Sequence, residues 1–173
     1  MIRLGVLGST RGTDLQAILD AILNHTLDAE VVVVVSNRNK SYILERARHH
    51  NIPDVFVSQK GKTRDEFDRE ITATLLQHGA DLVLLIGFMR ILSAEFCQKW
   101  HDRILNVHPS LLPKYAGGMD NDIHEEVLRN GDVETGCTIH FVTEEVDAGP
   151  ILIKKKCTVA GKDTVESLKT KVQ

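Results

Sequence analysis

The chain has 173 residues, about one domain at roughly 100–200 residues per domain. Apolar residues make up 42% and charged residues 26%, near the globular average, which excludes a disordered or fibrous chain. A net charge of −3 excludes a general polyanion binder such as a nucleic-acid domain, but leaves room for a local phosphate site.

Residues 2–7 predict a buried strand that runs into a glycine-bearing loop at 8–12. Apolar residues at 15, 18, 19, 22 and 23 then have helical spacing. The β-branched run 31–35 is too uniform for a half-exposed strand and predicts a central, parallel one. Ser36 and Asn37 follow as a turn and candidate helix cap. Residues 42–50 predict a helix with His49 and His50 at the surface, broken by Asn51, Ile52 and Pro53, and 55–57 a short strand. Thr63, with Glu66 three residues on, is a capping box for a helix to about Gln77. Residues 81–87 are another buried strand, Ser93 opens a short helix to about Trp100, and 104–107 is a strand that runs into Pro109. The stretch 110–122, with Pro113, Gly117 and Gly118, is expected as loop, and 123–129 as a helix stopped at Asn130-Gly131. Residues 136–142 and 151–157 predict two neighbouring strands around a turn at 147–150. Thr164 opens a last helical pattern through Val165, Leu168 and Val172.

Strands alternating with helices predict an α/β fold, a doubly wound and mostly parallel sheet flanked by helices, in a single domain. The longest apolar runs, 31–35 and 82–86, fall well short of the roughly 20 residues that cross a bilayer. The N-terminus lacks the long apolar stretch of a signal peptide. Cys97, Cys137 and Cys157 are odd in number and form no CxxC, so reduced thiols in a cytoplasmic protein are expected. The eight histidines include no HExxH pair, and no metal is expected.

Ligands of doubly wound folds sit at the carboxyl ends of the strands. Four segments there can carry chemistry. In Gly8-Ser9-Thr10-Arg11-Gly12-Thr13-Asp14, glycines let backbone N–H groups approach an anion at a helix N-terminus. The plain alternative is a tight turn capped by Thr13 or Asp14. Asn106 and His108 share one face of a strand, and an amide beside an imidazole can hold an oxyanion and move a proton. The plain alternative is a strand-end histidine with a structural asparagine. Thr143, Glu144, Glu145, Val146 and Asp147 form an acidic turn, ordinarily a solvated one. A buried Asp147 beside His108 would orient the ring and raise its pKa. Gly87, Phe88, Met89, Arg90, Ile91 and Leu92 suit a flat, partly apolar ligand with an anionic end, although an ordinary connection fits the same composition.

Together, segments 87–92, 105–113 and 140–150, behind a phosphate-type loop, resemble the phosphoribosylglycinamide formyltransferase family over essentially the whole chain. The resemblance implies transfer of a formyl group from 10-formyltetrahydrofolate, a co-substrate, to the amine of glycinamide ribonucleotide in purine biosynthesis. It implies no tightly bound cofactor, no metal, no nucleic-acid or membrane partner, and a monomer or homodimer. It assigns Asn106, His108 and Asp147 to catalysis, and Gly12, Thr13 and Asp14 to the ribonucleotide phosphate. It assigns Arg64, Met89, Arg90, Ile91, Leu92, Asn106, Thr143, Glu144, Glu145, Val146 and Asp147 to the folate. An amine attacking a formyl carbon makes a tetrahedral oxyanion, which Asn106 and a protonated His108 would stabilise while His108 shuttles the proton.

Three features depart from the family. Asp14 stands where it usually has Asn, in a loop one residue longer than common. Ala116 stands where proline is common, in a longer 116–122 stretch that leaves His124 in an insecure register. Members usually continue past Gln173 through a Gln-x-x-Glu-His stretch into a further helix, so a missing C-terminal helix is expected. Two other readings remain: a formyltetrahydrofolate hydrolase-like or tRNA-formylating relative, for which the chain lacks the added domain, and a non-catalytic ligand-binding module.

Overall fold

A computed structural model describes all 173 residues, the side chain of Asp120 excepted. The elements run β1 (Ile2–Gly8), α1 (Thr13–Leu23), β2 (Ala29–Ser36), α2 (Tyr42–His49), β3 (Asp54–Phe56), α3 (Arg64–Gln77), β4 (Leu82–Ile86), α4 (Ala94–Lys99), β5 (Ile104–His108), α5 (Asp120–Arg129), β6 (Glu134–Phe141), β7 (Ile151–Thr158) and α6 (Val165–Val172). The strands are hydrogen-bonded in the order β3-β2-β1-β4-β5-β6-β7. By contact the chain divides into two compact units, Met1–Leu105 and Asn106–Gln173, and β5 contributes to both.

In the first unit β1 pairs in parallel with β2 and β4, and β2 in parallel with β3. Parallel strands covered on both faces need near-continuous apolar sequence. The valines of β2 supply it, with Val33, Val34 and Val35 fully buried. Leu15 and Leu19 of α1 and Ile43, Leu44 and Ala47 of α2 pack into the same cluster as Leu4, Val6 and Val34. α3 buries Phe67, Ile71 and Leu75, which lie at helical spacing. Its start is the expected capping box: Glu66 N–H donates to Thr63 Oγ1, and Thr63 N–H to Glu66 Oε2.

In the second unit β6 and β7 are antiparallel, with Cys137 opposite Lys155. Buried Ile123 and Val127 of α5 and Leu168 of α6 form one cluster, joined by Tyr115, Leu128 and Val159.

Three local expectations are corrected. Gly12, not Thr13 or Asp14, is the N-cap of α1, because the chain enters the helix in a left-handed conformation at φ 67°. Ser41, not Ser36 or Asn37, precedes α2, because the Ser36 hydroxyl is spent inside the turn, donating to the Arg38 carbonyl. α5 begins at Asp120, not 123: the acidic and amide residues read as loop suit the positive end of a helix.

Candidate functional site

The second unit gathers Asn106, His108 and Asp147 as the sequence expects. Asn106 and His108 lie two residues apart at the end of β5. Asp147 sits in the turn between β6 and β7 in the left-handed region, at φ 54°. That is strained backbone, of the kind kept where the surroundings fix it. Gly149 makes the turn possible: a Cβ there would lie 1.9 Å from the Phe141 carbonyl oxygen. The Asp147 side chain is only 10% exposed, and its Oδ2 lies 3.3 Å from His108 Nδ1. The same oxygen accepts from Gly117 N–H at 2.8 Å. His108 Nε2 faces the Tyr115 carbonyl at 3.0 Å.

His140 is the residue that sequence reasoning missed. It is buried at the end of β6, on the strand face it shares with buried Thr138. Its Nδ1 faces the Phe141 carbonyl oxygen at 2.8 Å and therefore carries a proton. Its Nε2 lies 3.2 Å from Asn106 Nδ2 and 3.5 Å from Asp147 Oδ1. His140 thus lies against both the Asn106 amide and the Asp147 carboxylate. In the sequence Thr138 and His140 are only polar residues at alternate strand positions, and their burial is what marks them.

The electrostatics correct one expectation. Burial lowers His108 below the ordinary imidazole value, and this outweighs the opposing pulls of Asp147 and the Tyr115 carbonyl. Asp147 does act in the expected direction, but desolvation wins, so the resting ring is more readily neutral than expected. For Asp147, burial alone would raise the carboxyl. Hydrogen bonds from His140 and Gly117 and the nearby His108 overrule it and hold the group below the usual carboxylate value. The pair is thus an imidazole that gives up its proton more readily than usual beside a carboxylate held ionised.

The loop after β5 is tied down within its unit. The Thr138 hydroxyl donates to the Ser110 carbonyl and accepts from Leu112 N–H. Tyr115 OH donates to Asp132 at 2.7 Å. Thr143, Glu144, Glu145 and Val146 are exposed, and only Asp147 of that segment is drawn inward.

The first unit carries the candidate phosphate loop. A Cβ on Gly12 would sit 2.5 Å from Ile43 Cγ1, and its positive φ also demands glycine. The loop is held from outside by Ile43 N–H on the Thr10 carbonyl and Arg46 Nε on the Arg11 carbonyl. Ser9 joins it to the segment after β4: its N–H donates to the Gly87 carbonyl, and its Oγ accepts from Met89 N–H at 2.9 Å. Gly12 has no side chain with which to cap the first N–H groups of α1, a natural anion seat. Thr13 is exposed and Asp14 half-buried at that end.

The candidate folate residues of this unit differ in availability. Arg64 is exposed at the start of α3. Arg90 is turned inward, its guanidinium 4.3 Å from the centre of the Phe67 ring and bonded to Gln59 at 2.6 Å. Of the two arginines, Arg64 is the one free to meet an anionic tail. The backbone N–H groups of Arg90, Ile91 and Leu92 make no hydrogen bond among the described residues, leaving an edge for a planar ligand. No group of three metal-ligating side chains exists among the described residues, and no helix is long and apolar enough to cross a membrane.

The fold is a Rossmann-like α/β one, with a half-buried amide beside a buried imidazole and an inward-turned carboxylate. The chain belongs to the formyl transferase family, whose pattern it matches over residues 2–173. It is 40% identical over 169 residues to the phosphoribosylglycinamide formyltransferase of Escherichia coli (strain K12), covering 97% of this chain and 78% of that one. It is 43% identical over 173 residues to the trifunctional purine biosynthetic protein adenosine-3 of Chironomus tentans, covering 98% of this chain but 12% of that protein. It thus spans a small part of that trifunctional relative. The crystal structure of glycinamide ribonucleotide transformylase 1 from Symbiobacterium toebii superposes with a TM-score of 0.94 at 40% identity, covering 99% of this chain and 80% of that one.

Proposed function

We propose that the chain transfers the formyl group of 10-formyltetrahydrofolate to the amine of N1-(5-phospho-D-ribosyl)glycinamide, in de novo purine biosynthesis. The observation that carries this reading is the convergence of Asn106, buried His108 and His140, and Asp147 in a member of the formyl transferase family. Folate is a co-substrate, and the protein works in the cytoplasm as a monomer or homodimer without a metal.

In this reading the substrate amine attacks the formyl carbon. A carbon–nitrogen bond forms and the carbonyl oxygen becomes an oxyanion. Neutral His108 takes the proton from the attacking nitrogen at Nε2, through one water, once that ring nitrogen leaves the Tyr115 carbonyl. The new imidazolium is stabilised by Asp147, and with the amide of Asn106 it holds the oxyanion. Collapse breaks the bond from the formyl carbon to folate nitrogen, and His108 returns the proton to that nitrogen. Gly12, Thr13 and Asp14 meet the ribonucleotide phosphate. Arg64, the 89–92 backbone and the 143–147 turn contact the folate.

The test is direct turnover. The chain is mixed with both substrates and release of deformylated folate is followed by absorbance. The reading expects release that needs the ribonucleotide and vanishes in His108→Ala. Equal release without ribonucleotide would make the protein a hydrolase.

A further inference from the structure

We propose that Asp68, on α3, is a positioning residue for the folate site, setting the conformation of the 90–93 segment. The inference rests on the folate assignment of Arg90, Ile91 and Leu92 made above.

Asp68 is a carboxylate only 1% exposed, in the interior of a helix, and such a group is costly to bury without partners. Only half of it is used in a hydrogen bond. Oδ2 accepts from Ser93 N–H at 2.6 Å. Oδ1 is buried with no partner. The Nε of Arg90 is likewise buried with no partner. One orphan is an acceptor and the other a donor, and the Arg90 charge acts on Asp68. A neutral side chain would satisfy the Ser93 N–H equally well. Burial raises the Asp68 carboxyl, and the Ser93 N–H and hydroxyl together with the Arg90 and Arg64 charges pull against it.

Asp68 and its neighbour Phe67 fix the segment at two points. Phe67, wholly buried, carries the Arg90 guanidinium on its ring. Asp68 holds the backbone of Ser93, which caps α4 by accepting from Phe96 N–H. Between these points lie Ile91 and Leu92, with N–H groups that make no hydrogen bond among the described residues. A flat ligand edge needs those groups held in one direction before it arrives, since ordering them on binding weakens affinity. Two adjacent residues on one helix turn supply that order, and Asp68 touches no folate itself.

The experiment is calorimetric binding of tetrahydrofolate and, separately, of the ribonucleotide to the full chain, with thermal unfolding of each variant. Asp68→Ala is expected to weaken tetrahydrofolate by about fivefold to tenfold, since it strands the Ser93 N–H and the Arg90 charge. Asp68→Asn keeps an acceptor for Ser93 but loses the charge toward Arg90, and is expected to weaken tetrahydrofolate by an intermediate amount, about twofold to threefold. Ribonucleotide affinity should stay within about twofold in both, because its contacts lie elsewhere. Unchanged tetrahydrofolate binding in both variants would overturn the inference, as would equal loss of both ligands. If Asp68→Ala does not fold, weaker tetrahydrofolate with unchanged ribonucleotide in Asp68→Asn supports it, and no difference overturns it. Wild-type protein that binds ribonucleotide but no tetrahydrofolate would overturn the folate reading itself.

Discussion

Asp147 meets His108 through one oxygen, and that contact has two separable consequences. It orients the ring, and it opposes the burial that lowers the histidine. Asp147→Asn removes the second while nearly keeping the shape. His108 then titrates lower still, so the acidic limb of the kcat/KM profile moves to lower pH. The plateau falls as well, because the imidazolium formed in transfer loses its counter-charge. The expected loss in kcat is about 10²–10⁴-fold, the usual contribution of a positioned acid–base group, with little change in either KM. In wild type the acidic limb should lie below the ordinary imidazole value of 6.5, since burial lowers His108. A profile with its limb above that value would contradict a resting neutral ring. Asp14 is the other residue that invites substitution. A carboxylate in the first turn of α1 competes with a bound phosphate for the positive helix end. Asp14→Asn should therefore tighten the ribonucleotide by about 2–5-fold, corresponding to roughly 0.3–1 kcal/mol. His108 and Asp147 stood out in the sequence through the proline and glycine turns beside them, and Asn106 through the strand face it shares with His108. His140 and Asp68 did not, because a buried histidine in a strand and a carboxylate in a charged helix look ordinary until burial is known.

The elements were legible wherever apolar spacing and a cap agreed. The capping box of α3, the Ser93 cap of α4 and the Thr164 cap of α6 all stand where the sequence puts them. Misreadings fell where the backbone, not a side chain, makes the boundary. At Gly12 the left-handed conformation does the work of a cap, and at 120–122 polar residues serve a helix start as readily as a loop. Thr63→Ala removes one half of the α3 box and should cost about 1 kcal/mol of unfolding free energy, read by urea denaturation. The start of α6 offers a pH-dependent counterpart. Asp163 is held down to about 2 by Lys171, the Ala160 N–H and the Ser167 hydroxyl. A carboxylate with a depressed folded value stabilises above its unfolded value, near 3.8, and loses this as pH falls through the folded one. Asp163→Asn should lower Tm at neutral pH, and the gap to wild type should close between about pH 4 and pH 2. A constant gap across that range would remove the charge from the explanation.

On the scale of the whole molecule, the two kinds of chemistry are divided by unit. The candidate anion loop and the 87–92 segment belong to Met1–Leu105, and the proton-transfer set to Asn106–Gln173. The central strands of the first unit are buried valines and leucines, while its loop is held by backbone and Ser9 contacts at the edge. Such loops open locally at far lower free energy than the core. Ligand binding should therefore be written first in the loops. At about 100 times its Kd, the ribonucleotide should stabilise the protein by about 2.7 kcal/mol if it binds only the folded state. Amide hydrogen exchange can locate that gain. Residues 10–16, where α1 begins without a side-chain cap, should slow on adding ribonucleotide, and β2 should exchange only by global unfolding, slowed by the same overall stabilisation. Protection at 10–16 that inorganic phosphate partly reproduces would assign the loop to the phosphate group. Stabilisation by the ribonucleotide with no protection there would remove Gly12, Thr13 and Asp14 from the binding site and leave the loop a structural turn.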